Sequence, residues 1–172
     1  MIPRIKNILY ATDLTDNSAY AFRYAVNSAQ KHDAKIHILH VIEKPHSSVG
    51  VLVELHFEEG QLEKLWKERR DEQIKRINQR LKEFAERELK DDQETLKRVA
   101  SIVVIEGEPA VEILRKADEL DCDVIIMGTH GKGWITHAFL GSVAEKVLSR
   151  VKKPVYIIPI PKGETDITFK NT

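Results

Sequence analysis

The chain has 172 residues, and its 27 lysines and arginines balance 27 aspartates and glutamates. This length suits one domain with a substantial core, and the zero net charge argues against a general nucleic-acid binder, which uses surplus positive charge to displace counterions. A single cysteine excludes an internal disulfide, and no apolar run approaches the roughly 20 residues that span a bilayer. The first residues lack the apolar core of a secretion signal, so we expect a cytoplasmic protein that binds neither membranes nor nucleic acid.

The first half of the chain alternates two predicted strands with two predicted helices. Short apolar runs at residues 5–11 and 35–42 predict buried strands. Apolar residues at helical spacing predict a helix over 18–32 between them, and the candidates for its N-cap are Asp16, Asn17 and Ser18. A pattern with one apolar face and a dense charged face then predicts a long helix over about residues 57–90, with a break near Gln73 as one option.

The second half continues the alternation. Apolar runs at 101–106, 123–127 and 154–159 predict three more strands. Helices are predicted over 109–120, where Pro109 suits the first turn, and over 141–150. The inward faces of these two helices are predicted to include Val111 and Leu148.

Strands that alternate with helices predict an α/β fold, here a single doubly wound domain with a five-stranded parallel sheet and helices on both faces. No repeat or linker divides the chain. We therefore expect one domain over residues 1–162 and a disordered tail over 163–172.

Half of the eight glycines lie close together between the predicted fourth strand and the last helix, at Gly128, Gly131, Gly133 and Gly141. Glycine lets the backbone approach a ligand closely. Backbone N–H groups, the positive end of the helix and the hydroxyl of Ser142 all favour an anion there. Ligands of open parallel sheets bind at the carboxyl ends of the strands, so the sequence predicts a phosphate-binding loop.

Two familiar phosphate motifs do not fit this loop. The chain has no Gly-x-x-x-x-Gly-Lys-Ser/Thr segment, and the third glycine of a dinucleotide fingerprint would fall at Thr136. The spacing that is present is Gly-x-x-Gly, nine residues, then Gly-Ser, running from Gly128 to Ser142.

This spacing resembles the ATP-binding branch of the universal stress protein family. The resemblance extends over nearly the whole chain, through the segments at 7–13, 39–41, 107–109, 123–131, 141–147 and 154–155. It implies strand order 3-2-1-4-5, a domain that binds ATP, ADP or AMP, and a homodimer formed through the last strand, from Val155 to Ile158. A divalent ion, Mg²⁺ or Mn²⁺, would be held by the phosphates.

The resemblance also implies a set of contact residues. Asp13 would contact the ribose, Ala11 and Thr12 would line the same pocket, and Val41 would meet the adenine. Contacts near the ribose and along the phosphates would come from Met127, Gly128, His130, Gly131, Gly133, Gly141, Ser142 and Val143.

Three functions are consistent with this sequence. The first is a regulatory ATP-binding dimer in the stress response. The second is a weak ATPase or phosphotransferase, although His130 and His137 are the only evident bases near the loop, and neither a nucleophile elbow nor a pair of carboxylates in one motif occurs. The third is a ligand-free dimeric scaffold.

Several residues have a simpler structural interpretation beside the functional one. Asp13 is also suited to cap the first helix or to hold its own loop. Cys122 is expected to be a small packed side chain. His37 and His40 are three apart on a predicted strand, so they should point to opposite faces rather than share a metal.

Overall fold

A computed structural model describes residues 2–43, 61–129 and 140–159, and within these ranges five strands form one parallel sheet. The elements in chain order are β1 (Asn7–Ala11), α1 (Asp16–His32), β2 (Lys35–Glu43), α2 (Gln61–Glu88), α3 (Gln93–Leu96), β3 (Val99–Gly107), α4 (Pro109–Glu119), β4 (Val124–Gly128), α5 (Ser142–Arg150) and β5 (Val155–Ile158). The strand order β3-β2-β1-β4-β5, parallel throughout, confirms the predicted fold. The predicted end of the domain at 162 and the tail lie outside the described residues.

Each face of the sheet carries its own apolar core. The face covered by α1 and α2, called the α1 face, holds Tyr10, Phe22 and Phe84, whose ring centroids follow one another at 5.2 Å. The opposite face, called the α5 face, is covered by α4 and α5 and buries Leu9 and Val147 completely. Burial on both sides explains why the inner strands are continuous apolar runs rather than alternating ones.

Helix α1 begins at Asp16, two residues earlier than predicted, and its N-cap is Thr15. The extended backbone of Thr15 aims its hydroxyl oxygen at the Ser18 N–H, which donates to it at 3.3 Å. The three predicted caps were therefore wrong, because Asp16, Asn17 and Ser18 all lie inside the first turn.

Helix α2 runs from Gln61 to Glu88 without a break at Gln73. Its residues Ile74, Ile77 and Leu81 follow the helical repeat and pack on the α1 face, so one continuous helix satisfies the apolar pattern. No helix in the described part of the chain is both long and apolar enough to cross a membrane.

Smaller departures from expectation occur at the ends and faces of elements. The structure adds the short helix α3, capped by Asp92, and β3 begins at Val99 rather than at 101. Val111 and Leu148 are 41% and 42% exposed, so the prediction that they face inward was wrong. Each lies at the border of the apolar stripe of its helix, where the repeat alone does not decide burial.

Lys153 ties the loop between α5 and β5 to the end of α4. Its ammonium donates to the carbonyl oxygens of Ala117 at 3.1 Å and Cys122 at 2.9 Å, and lies 3.2 Å from a carboxylate oxygen of Asp118. Cys122 itself is buried, as expected, and this burial raises the pKa of its thiol to about 11. The thiol is therefore protonated near neutral pH.

Replacing Lys153 by methionine should lower the free energy of unfolding by about 1.5 kcal/mol, since two carbonyl oxygens lose a charged donor. The pair with Asp118 should contribute little of this loss, because that carboxylate is 76% exposed. Urea denaturation measures the change. The exposed neighbour Lys152 provides the control. Equal free energies of unfolding for Lys153→Met and Lys152→Met would contradict this role of Lys153.

Candidate functional site

The carboxyl ends of β1, β2 and β4 open into one cleft of about 810 Å³. It lies where the strand order reverses, with β2 on one side of β1 and β4 on the other. Nine residues of the predicted site line this cleft, namely Ala11, Thr12, Asp13, Val41, Met127, Gly128, Gly141, Ser142 and Val143. The other three, His130, Gly131 and Gly133, lie outside the described residues.

Thr12 joins three elements at the base of the cleft. Its N–H donates to the Leu39 carbonyl at 2.9 Å, and its own carbonyl accepts from Nδ1 of His40 at 2.8 Å. Its hydroxyl oxygen accepts from the Leu14 N–H at 3.1 Å and forms a hydrogen bond with the Ser18 hydroxyl at 2.9 Å. All three polar groups of Thr12 are thus engaged, so this residue holds the shape of the β1–α1 loop.

Asp13 closes the same loop. Its Oδ1 accepts from the Thr15 N–H at 3.0 Å and from the Thr15 hydroxyl at 2.6 Å. Both bonds use one oxygen, and no donor among the described residues reaches Oδ2. Between them Leu14 has φ +65, a left-handed conformation that is costly for leucine. Asp13 therefore has the loop-holding role, while its contact with a ligand stays a prediction.

The first turn of α5 presents backbone donors to the cleft. Gly141 is the N-cap, and its N–H donates to the Thr129 carbonyl at 2.7 Å. Within the helix, the first intrahelical bond runs from the Glu145 N–H to the Gly141 carbonyl. The intervening N–H groups find no acceptor among the described residues, and they belong to Ser142, Val143 and Ala144. Three such donors, reinforced by the helix dipole, form an anion-binding arrangement.

Gly128 has a packing reason to be glycine. A Cβ at this position would lie 2.9 Å from Nδ2 and 3.3 Å from Cγ of Asn17, a buried residue in the first turn of α1. The end of β4 therefore packs directly on the start of α1, and Gly128 and Ser18 of these two elements line the cleft.

Helix α2 contributes a wall that the sequence did not predict. Gln73, Ile77 and Arg80 lie four and three residues apart, on one side of the helix, and all line the cleft. Ile77 belongs to the predicted apolar face, but nothing in the sequence indicates that this face reaches a ligand site. Among the described lining residues Arg80 is the only lysine or arginine, and the carboxylates there belong to Asp13 and Glu43.

Two titratable side chains on the strands below the cleft, Tyr10 and His37, are held by hydrogen bonds. Tyr10 donates its hydroxyl to the Ser18 carbonyl at 2.6 Å, and complete burial raises its pKa, so it remains neutral. Nδ1 of His37 is paired with the Ser101 hydroxyl at 2.7 Å, and partial burial lowers its pKa. His40 instead bonds to the β1–α1 loop, in line with the expectation that the two histidines point apart. The described residues contain no cluster of histidines, cysteines and carboxylates that is able to hold a metal.

Comparisons with known proteins agree with this architecture. The model of the universal stress protein family matches residues 4–159. Universal stress protein MJ0531 of Methanocaldococcus jannaschii is 33% identical over 159 residues, which cover 92% of this chain and 85% of that protein. The solved structure of MJ0577, from the same organism, has 26% identity and a TM-score of 0.63, and covers 94% of this chain and 100% of its own.

A further solved structure, a universal stress protein in complex with cAMP, has 20% identity and a TM-score of 0.52. It covers 91% of this chain and 98% of its own, and at this identity the likeness supports the fold alone. The family model, the archaeal relative and the shared strand order lead to one conclusion: the chain belongs to the universal stress protein family.

Proposed function

We propose that this protein binds ATP, or a related adenine nucleotide such as ADP or AMP, and acts as a nucleotide-dependent regulatory dimer in the stress response. One observation carries the proposal: the first turn of α5, with its three N–H groups that have no acceptor among the described residues, lines the same cleft as Asp13 and Val41. In this proposal the phosphates bind at α5, the ribose at Asp13 and the adenine beside Val41.

The chemistry of the cleft walls supports a nucleotide. Ala11, Leu39, Val41 and Met127 belong to the apolar core of the α5 face and also line the cleft, so they offer a surface for a flat base. Polar groups converge at the loop and at α5. The volume of about 810 Å³ lies within the range of about 300–1,000 Å³ that is usual for small-molecule sites.

A universal stress protein of the same fold has been solved with cAMP, so one protein of this architecture takes an adenine nucleotide. For this chain we propose that Mg²⁺ or Mn²⁺, where it accompanies the nucleotide, is held by phosphate oxygens, because Mg²⁺ usually keeps its waters and takes few protein ligands.

We further propose a cytoplasmic homodimer formed through β5. This strand ends the sheet, and in the described part of the chain it pairs with β4 alone. Its Tyr156 is 41% exposed. The β5 strand of a second copy could form hydrogen bonds with the backbone of this edge and cover its exposed side chains.

The enzymatic alternative depends on His130 and His137, which lie outside the described residues. The most direct test of binding is to extract the purified protein with acid, identify any released nucleotide, and titrate the stripped protein with ATP in a calorimeter. ATP, ADP or AMP in the extract, or measurable binding, supports the proposal. An empty extract together with no binding favours the ligand-free scaffold instead.

Gly141→Val should weaken ATP binding at least about tenfold, since a branched side chain would occupy the space in front of the three N–H groups. The fold should persist, because valine readily adopts the backbone conformation of residue 141, φ −62 and ψ 150. Calorimetric titration gives the affinity. Ser149→Val adds the same side chain at the far end of α5 and should bind normally, whereas unchanged affinity in Gly141→Val would show that the phosphates bind elsewhere.

Asp13→Asn separates the two roles of Asp13. Asparagine keeps an oxygen that accepts from Thr15, so the thermal midpoint of unfolding should stay close to that of the wild type. The loss of the charge should weaken ATP binding about tenfold, because a ribose hydroxyl would donate to a neutral oxygen instead of a carboxylate. Asp16→Asn makes the same change one turn away, outside the cleft, and a loss of affinity equal to that of Asp13→Asn would argue against the ribose contact.

A further inference from the structure

The cleft has two ends that lie on opposite faces of the sheet. At one end, the N–H groups of α5 approach from the α5 face beside β4. At the other end, α2 approaches from the α1 face beyond β2. Since β1 lies between β2 and β4, these two strands are about 10 Å apart, and one phosphate group cannot reach both ends.

The position of α2 is fixed at two places. Arg70 lies 3.6 Å from Glu106 at the carboxyl end of β3, and further along the helix the Phe84 ring packs 5.2 Å from that of Phe22 on α1. Arg80 lies between these contacts, half-buried, and lines the cleft. The helix that carries Arg80 is therefore positioned by its own contacts with β3 and α1 and does not require a bound ligand.

A nucleotide held by its phosphates at α5 has a definite direction in this cleft. Its ribose crosses β1, and its base lies over the carboxyl end of β2, where Val41 meets it from the α5 face and α2 meets it from the α1 face. Ile77 and Arg80, which are three residues apart on α2, line the cleft at this end. Arginine suits such a place, since its methylene stem covers apolar surface and its flat guanidinium stacks on aromatic rings.

We infer that Arg80 lays its guanidinium plane on the purine base, beside Ile77, and is thus a specificity-determining residue for flat heteroaromatic bases. The inference rests on the proposed nucleotide site. The phosphates bind at the other end of the cleft, so Arg80 does not pair with them. The face of an aromatic base attracts a guanidinium group although it carries no negative charge. The carboxylates of Asp13 and Glu43 line the same cleft and favour a cation in it.

The variants Arg80→Lys and Arg80→Gln test whether Arg80 acts through its flat guanidinium group or only through its positive charge. AMP affinity, measured by calorimetry, should fall about five- to tenfold in both Arg80→Lys and Arg80→Gln, because neither side chain presents a guanidinium plane. The exposed Arg76, one turn earlier and outside the cleft, provides the matched control, and Arg76→Gln should bind AMP like the wild type. Wild-type affinity in Arg80→Lys, or in Arg80→Gln, would overturn the stacking role.

A measurement on the unaltered protein guards against variants that fold poorly. With AMP bound, nuclear Overhauser contacts should join the Ile77 methyl groups to protons of the purine ring. Bound AMP without these contacts would overturn the inference and leave the proposed function intact. A wild-type protein that binds no adenine nucleotide would instead remove the proposed function, and the inference with it.

Discussion

β1 lies at the centre of the sheet, and the chain winds away from it in two directions, through β2 and β3 and later through β4 and β5. Right-handed crossovers then require α1 and α2 to cover one face and α4 and α5 the other. The loops that follow β1 and β4 consequently turn to opposite sides and leave the edge between them open. The cleft is a consequence of this winding, and it receives Asp13 from one side and the first turn of α5 from the other.

The two sides of the cleft differ in how their polar groups are satisfied. On the β1 side, Thr12 and Asp13 use their side chains to hold a loop in which Leu14 has a left-handed backbone, a strain of about 1 kcal/mol. On the α5 side, three N–H groups have no acceptor in the described chain. The loop is therefore shaped in advance, while the helix start supplies the attraction for an anion. This division suits a nucleotide whose ribose is positioned by the loop and whose phosphates are bound by the helix.

Much of the fold was predictable because it depends on local patterns. Apolar runs predicted the strands, and the spacing from Gly128 to Ser142 pointed to Gly128, Gly141 and Ser142, which line one cleft, while Gly131 lies outside the described residues. The α2 wall was not predictable, since the helical repeat shows which side of α2 is apolar but not that Arg80 reaches a cleft formed by other elements. The cap at Thr15 was missed for a related reason: several polar residues in succession are suitable caps, and the backbone conformation selects one.

The central claim is that the start of α5 binds the phosphates of an adenine nucleotide. Titration of ¹⁵N-labelled protein with ATP, followed by amide NMR, tests it directly. We expect the amide signals of Ser142, Val143 and Ala144 to move most with ATP and far less with adenosine, which lacks phosphates. Saturating ATP that leaves these three signals in place would contradict the account.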